Sequence, residues 1–134
     1  MEPRSREDEG MLSVTAEAIS DPTVVDEHSP GRPPPGPAAT RPRETLVAAG
    51  ELLRALAAPV RIAIVLQLRD SERCVHELVD ALGVTQPLIS QHLRVLKSAG
   101  VVGGERHGRE VVYRLVDEHL SHIVVDAVAH VEEE

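Results

Sequence analysis

Aromatic side chains are nearly missing from this chain of 134 residues: one tyrosine, no phenylalanine, no tryptophan. Any core must be built from Val, Leu, Ile and Ala. With 42% hydrophobic residues, one domain with extra segments is expected. The single cysteine, Cys74, excludes an intrachain disulfide and suits a reducing compartment. No apolar run approaches the roughly 18 residues of a membrane span. The acidic N-terminus lacks the basic-then-apolar run of a secretory signal. A cytoplasmic protein with no membrane partner is therefore expected. Positive charge is also scarce: 14 Lys and Arg against 22 Asp and Glu leave a formal net charge of −8. That average argues against a nucleic-acid partner, but the charge is unevenly spread. Residues 1–43 carry net −3, 44–84 net −2 and 116–134 net −6, whereas 85–115 hold five basic and two acidic residues, net +3. A local basic segment on an acidic chain is still an electrostatic footprint for a polyanion.

Residues 1–43 are broken by Asp21-Pro22, Ser29-Pro30-Gly31 and the run Arg32–Pro37, and are expected to form a disordered tail. A weak helical pattern around Met11–Ile19 and a solvated His28 beside Asp26 and Glu27 fall within it. Residues 44–134 are expected to form one domain. Helices are predicted over Glu44–Ala57, from Pro59 to about Arg69, and over roughly Cys74–Leu82. Gly83 closes the third as its C-terminal cap, and Thr85 caps the next. Pro87 is tolerated because its missing N–H lies in the first turn.

On that fourth helix, Gln86, Pro87, Ser90, Gln91, Arg94 and Lys97 share an arc of about 140° at helical pitch. Leu88, Ile89, His92, Leu93, Val95 and Leu96 fill an opposite arc and are expected to pack. The outward arc holds amides, a hydroxyl and two cations, and no carboxylate. Amides and guanidinium groups match base edges, and cations match phosphate. Two short helices joined by a tight turn at Gly83-Val84 have helix-turn-helix spacing, with the second helix reading DNA. After Ser98-Ala99-Gly100, two extended runs, Val101-Val102 and Arg109–Leu115, flank a Gly-rich basic tip at Gly103–Gly108. They read as a β-hairpin wing whose basic tip, with Arg106, His107 and Arg109, is able to contact phosphate or enter a minor groove.

From about residue 44 onward the chain resembles the ArsR/SmtB family of metal-sensing winged-helix repressors. The resemblance is carried by Cys74–Leu78, Leu82–Pro87, Ser90–Leu93, Leu96–Val102 and Gly108–Leu115. It implies a winged helix-turn-helix homodimer, mainly α with a small β-hairpin, that binds an inverted repeat in double-stranded promoter DNA. Gln86, Ser90 and Gln91 are then the expected base contacts, with Thr85 and Pro87 beside them. Arg94, Lys97, Arg106 and Arg109 are the expected phosphate contacts.

The last predicted helix, residues 117–133, carries His119, His122, Asp126, His130 and Glu133 in an arc of about 80° beside an apolar stripe. Imidazole and carboxylate are ordinary zinc ligands. His119 and His130 are roughly 16 Å apart along the axis, so one helix cannot bring both to one ion. An antiparallel copy sets His130 and Glu133 opposite Asp117 and His119, giving an N2O2 zinc site twice per dimer. Zinc-sensing family members use an Asp-x-His pair early and a His-x-x-Glu pair late in this helix, and the same four residues match. Asp117 also suits the helix N-cap, and Asp126 reads as a surface charge able to orient His130. The family's second site places a cysteine and a carboxylate where Cys74 and Glu77 stand. The N-terminal arm here adds no cysteine, and Cys74 reads as a buried or interface thiol.

The expected function is a zinc-responsive repressor whose metal-free dimer binds its operator and whose zinc form releases it. A nickel- or cobalt-responsive repressor and a metal-independent regulator share the fold. A dimerisation module without DNA binding is the rival from another class. An enzyme is not expected, because Cys74 has no partner base and four protein ligands leave no open metal position.

Overall fold

The computed structural model describes residues 31–133. The Met11–Ile19 pattern and His28 lie outside them. The chain divides into two units, Met1–Thr45 and Leu46–Glu134. Of the first, residues 31–42 are exposed and carry neither helix nor strand. Five helices and three strands follow: α1 (Arg43–Leu56), α2 (Pro59–Asp70), β1 (Arg73–Cys74), α3 (Val75–Leu82), α4 (Gln86–Ser98), β2 (Val102–His107), β3 (Glu110–Leu115) and α5 (Glu118–Glu132).

The core is aliphatic, as the shortage of aromatics requires. Ile64 and Val65 of α2, Leu78 of α3, Ile89, Leu93 and Leu96 of α4, Val101 and Val102, and Leu120 and Val124 of α5 form one buried cluster. At about 1.5–3 kcal/mol per fully buried aliphatic side chain, this cluster is the main source of stability. The central helix is α2, which packs against α5, α4 and β3. Only the C-terminal end of α1 is buried, through Ala55 and Leu56; Leu46, Val47 and Leu53 stay exposed.

Local signals set the helix-turn-helix. Gly83 takes the left-handed conformation at φ 66° and its N–H donates to the Val79 carbonyl, ending α3. After Val84 and Thr85, α4 begins at Gln86. Gly100, at φ 78°, ends it in a Schellman arrangement: the Gly100 N–H donates to Lys97 O and the Val101 N–H to Leu96 O. Val101 and Leu96 are both fully buried, which fixes the angle at which the chain leaves the helix for the sheet.

The sheet has the order β1-β3-β2, all antiparallel. Two sequence expectations change here. The third helix starts at Val75, because Arg73 and Cys74 pair with Tyr113 and Val112 as a short strand. The Gly-rich stretch 103–107 belongs to β2 rather than to a loop: pairing runs unbroken to His107 opposite Glu110, leaving Gly108-Arg109 as the turn. Gly104 explains how a glycine-rich segment holds a strand there. A Cβ at that position would lie 2.9 Å from Val111 Cγ1 and 3.0 Å from Tyr113 Cε1, so the missing side chain makes room for the ring across the ladder.

Candidate functional site

The exposed face of α4 and the hairpin carry the expected contacts. Thr85, Gln86, Pro87, Gln91, Arg94 and Lys97 are exposed and Ser90 is half-buried; Arg106 and Arg109 are exposed on the hairpin. Arg114, exposed on β3, adds a third hairpin guanidinium that was not among the expected contacts. Strand alternation carried the signal for it, since it faces away from Tyr113 and Leu115. Ile89, Leu93 and Leu96 anchor the helix by full burial.

Two expectations for α4 need correction. Thr85 stands at the N-cap with extended backbone, but its hydroxyl makes no cap hydrogen bond. An N-cap side chain accepts from the second or third helical N–H; Pro87 removes the first of these, and the hydroxyl does not take up the remaining one, from Leu88. Leu88 and Val95, read as part of the packing arc, are exposed at 40% and 36%. They lie on the flank of that arc, to one side of the buried Ile89, Leu93 and Leu96.

His92 is half-buried, and its Nδ1 lies 3.2 Å from Nη1 of Arg61. The same guanidinium donates through Nε to the Ala55 carbonyl at 2.6 Å. One side chain of α2 thus joins the end of α1 to the middle of α4. His76 and His107 are exposed, the latter 3.7 Å from the Glu105 carboxylate.

The metal-ligand candidates sit at the two ends of α5. Asp117 is the N-cap, its Oδ1 accepting from the His119 N–H at 2.9 Å. The same oxygen is 3.4 Å from His119 Nδ1, with side chains 53% and 92% exposed. His130 is exposed in the last turn and Glu133 is the C-cap. Leu120, Ser121 and Val124 bury the opposite face of the helix. His122 and Asp126 are exposed. Among the described residues no three His, Cys, Asp or Glu come together to hold an ion within one chain. The helix keeps its two donor pairs apart, as its length requires.

Cys74 is buried, its Sγ 3.9 Å from Glu110 Oε2. Glu77 accepts the Cys74 N–H at 2.9 Å. That bond, and next the neighbouring thiol, hold its carboxyl below the usual range against a small desolvation that opposes them. The carboxylate is thus occupied in capping α3. No helix among the described residues is long and apolar enough to cross a membrane.

Comparison with known proteins agrees with this architecture. The family of bacterial regulatory proteins of the arsR type matches residues 58–103, from the start of α2 into β2. Over 93 residues the chain is 78% identical to the HTH-type transcriptional repressor SmtB of Mycobacterium tuberculosis, a match covering 69% of each chain. The HTH-type transcriptional regulator NmtR of the same organism is 42% identical over 80 residues, 60% of this chain and 67% of that one. The solved structures include the homodimeric winged helix-turn-helix DNA-binding domain of Mb0332 from Mycobacterium bovis. It matches at a TM-score of 0.61 and 30% identity, over 72% of this chain and 95% of that one. These relatives are transcriptional regulators, not enzymes. With its helix-turn-helix, its hairpin wing and this identity, the chain belongs to the ArsR/SmtB family of metal-sensing, winged helix-turn-helix transcriptional repressors.

Proposed function

We propose that this chain is a zinc-responsive repressor acting in the cytoplasm. Its metal-free homodimer binds an inverted-repeat operator, and its zinc form releases it. The observation that carries the metal reading is the state of α5. Asp117, His119, His130 and Glu133 are all solvent-accessible at the ends of the helix, with Asp117 and His119 already 3.4 Å apart. Two imidazoles and two carboxylates are a donor set that suits zinc. When bound, zinc accepts lone pairs from these four groups and neutralises part of an acidic segment.

The chain's own residues supply the rest. Asp117 holds the backbone of His119 and so fixes the start of the donor stripe. Leu120 and Val124 seat α5 on α2, and α2 packs on α4, so the placement of α5 and that of the reading helix are mechanically linked. Pairing of two copies is supported by the exposed Leu46, Val47 and Leu53 of α1 and Val131 of α5, apolar groups that gain from being covered. Gln86, Ser90 and Gln91 address base edges, and Arg94, Lys97, Arg106 and Arg109 address phosphates. Linkage is reciprocal, so bound DNA weakens zinc by the factor by which zinc weakens DNA.

The test compares operator binding by wild type and by His130→Ala, each with and without zinc. Wild type is expected to lose affinity on zinc addition and the variant to keep it. Equal operator affinity of wild type with and without zinc would overturn the reading. A nickel- or cobalt-responsive repressor is the second reading, favoured by exposed His122 one turn beyond His119. The cobalt absorption spectrum separates a tetrahedral site from an octahedral one.

A further inference from the structure

The reading helix exposes two aliphatic side chains that neither the packing nor the polar contacts account for. Leu88 is 40% exposed and Val95 36%. Seven residues apart, they lie nearly in line along α4, with Gln91 beside that line. Between Asp80 and Glu105 the sequence has no acidic residue, and Gln91 and Arg94 are exposed on the same helix, about 60° and 120° around it from Leu88. An aliphatic side chain left in water on a surface addressed to DNA gains by being covered there. The apolar feature that the floor of a major groove offers is the C5-methyl group of thymine. Leu88 is the third residue of α4, in the N-terminal half that reaches base edges when such a helix enters the groove.

We propose that Leu88 reads the methyl group of a thymine in each operator half-site, making an aliphatic side chain a determinant of sequence preference beside the amides. The proposal rests on α4 being the DNA-reading helix. Val95 lies about 10 Å further along the axis, nearer the end of the helix that leaves the groove, so Leu88 is the reader of the pair.

The test uses the full chain in metal-free buffer. A duplex recovered by in vitro selection from a randomised pool is resynthesised with each thymine in turn replaced by uracil, which differs only by the methyl group. Affinities are measured by fluorescence anisotropy at fixed salt. One replacement per half-site is expected to weaken wild type about fourfold, the factor that burial of one methylene-sized group gives. Leu88→Ala, a change at an exposed position that leaves the core intact, is expected to bind the thymine and uracil duplexes equally. Arg109→Ala is expected to weaken both alike and keep the fourfold difference. Wild-type binding with no methyl-dependent position overturns the proposal, as does a methyl dependence that survives in Leu88→Ala. Recovery of no duplex at all overturns instead the reading of α4 on which the proposal stands.

Discussion

Nη1 of Arg61 lies 3.2 Å from Nδ1 of His92, and through this contact α2 holds the middle of α4. A guanidinium only donates, so in this contact Nδ1 is the side that accepts. The Nε of Arg61 meanwhile satisfies the carbonyl of buried Ala55 at the end of α1. Arg61→Ala leaves both acceptors without this donor. We expect it to cost about 1–3 kcal/mol in chemical denaturation. In a double-mutant cycle with His92→Ala the two changes should be non-additive by at least about 0.5 kcal/mol. Strict additivity would show that the contact carries no energy.

The hairpin offers a paired test of its packing. Gly104→Ala drives a Cβ into Val111 and Tyr113, whereas at Gly103 the nearest atom is 3.7 Å away, on the Arg114 guanidinium. Gly104→Ala should destabilise by at least about 1 kcal/mol, a fall in Tm of roughly 4–8 °C for a domain of this size. Gly103→Ala should sit close to wild type. Equal Tm values for the two variants would remove Tyr113 as the reason for the glycine.

Asp117 has two roles that substitution can separate. As N-cap it accepts the His119 N–H; as a proposed zinc ligand it supplies negative charge. Asn caps as well as Asp, so Asp117→Asn should keep the stability of the metal-free protein within a few tenths of a kcal/mol, while Asp117→Ala loses about 1 kcal/mol. Both should weaken zinc, measured by competition with a chromophoric chelator. Unchanged zinc affinity in Asp117→Asn would assign the residue to capping alone.

Glu77 gives the stability curve a sign on the acid side. Its carboxyl is held below the ordinary range, first by the Cys74 N–H that it accepts. Its contribution is therefore fully present above the unfolded glutamate value, about 4.3, and is lost as pH falls through the lower folded value. Glu77→Gln should flatten the dependence of stability on pH below about 4.3 and leave its slope near neutrality unchanged. An unaltered acid slope in urea titrations across that range would contradict this.

Much of this arrangement follows from the chain read residue by residue. The aliphatic periodicity of α2 to α5, the punctuation at Pro59, Gly83 and Gly100, and the concentration of positive charge in 85–115 are local features. Local propensity and pitch convert them directly into helices, a turn and an outward polar arc. The donors of α5 are equally local, because spacing alone puts them on one stripe and at opposite ends. What tertiary structure decided depends on neighbours distant in sequence. Arg73-Cys74 is a strand only because β3, nearly forty residues on, gives it a ladder partner. Gly103–His107 extends the hairpin because Tyr113 needs the space at Gly104. Arg61 finds His92 across 31 residues. For the helix with the DNA-facing arc, pitch fixed which residues share a side, but only the placement of surrounding elements determined how far cover extends. That cover buries Ile89, Leu93 and Leu96 and stops short of Leu88 and Val95, because periodicity sets a direction around a helix while packing requires another surface to be there.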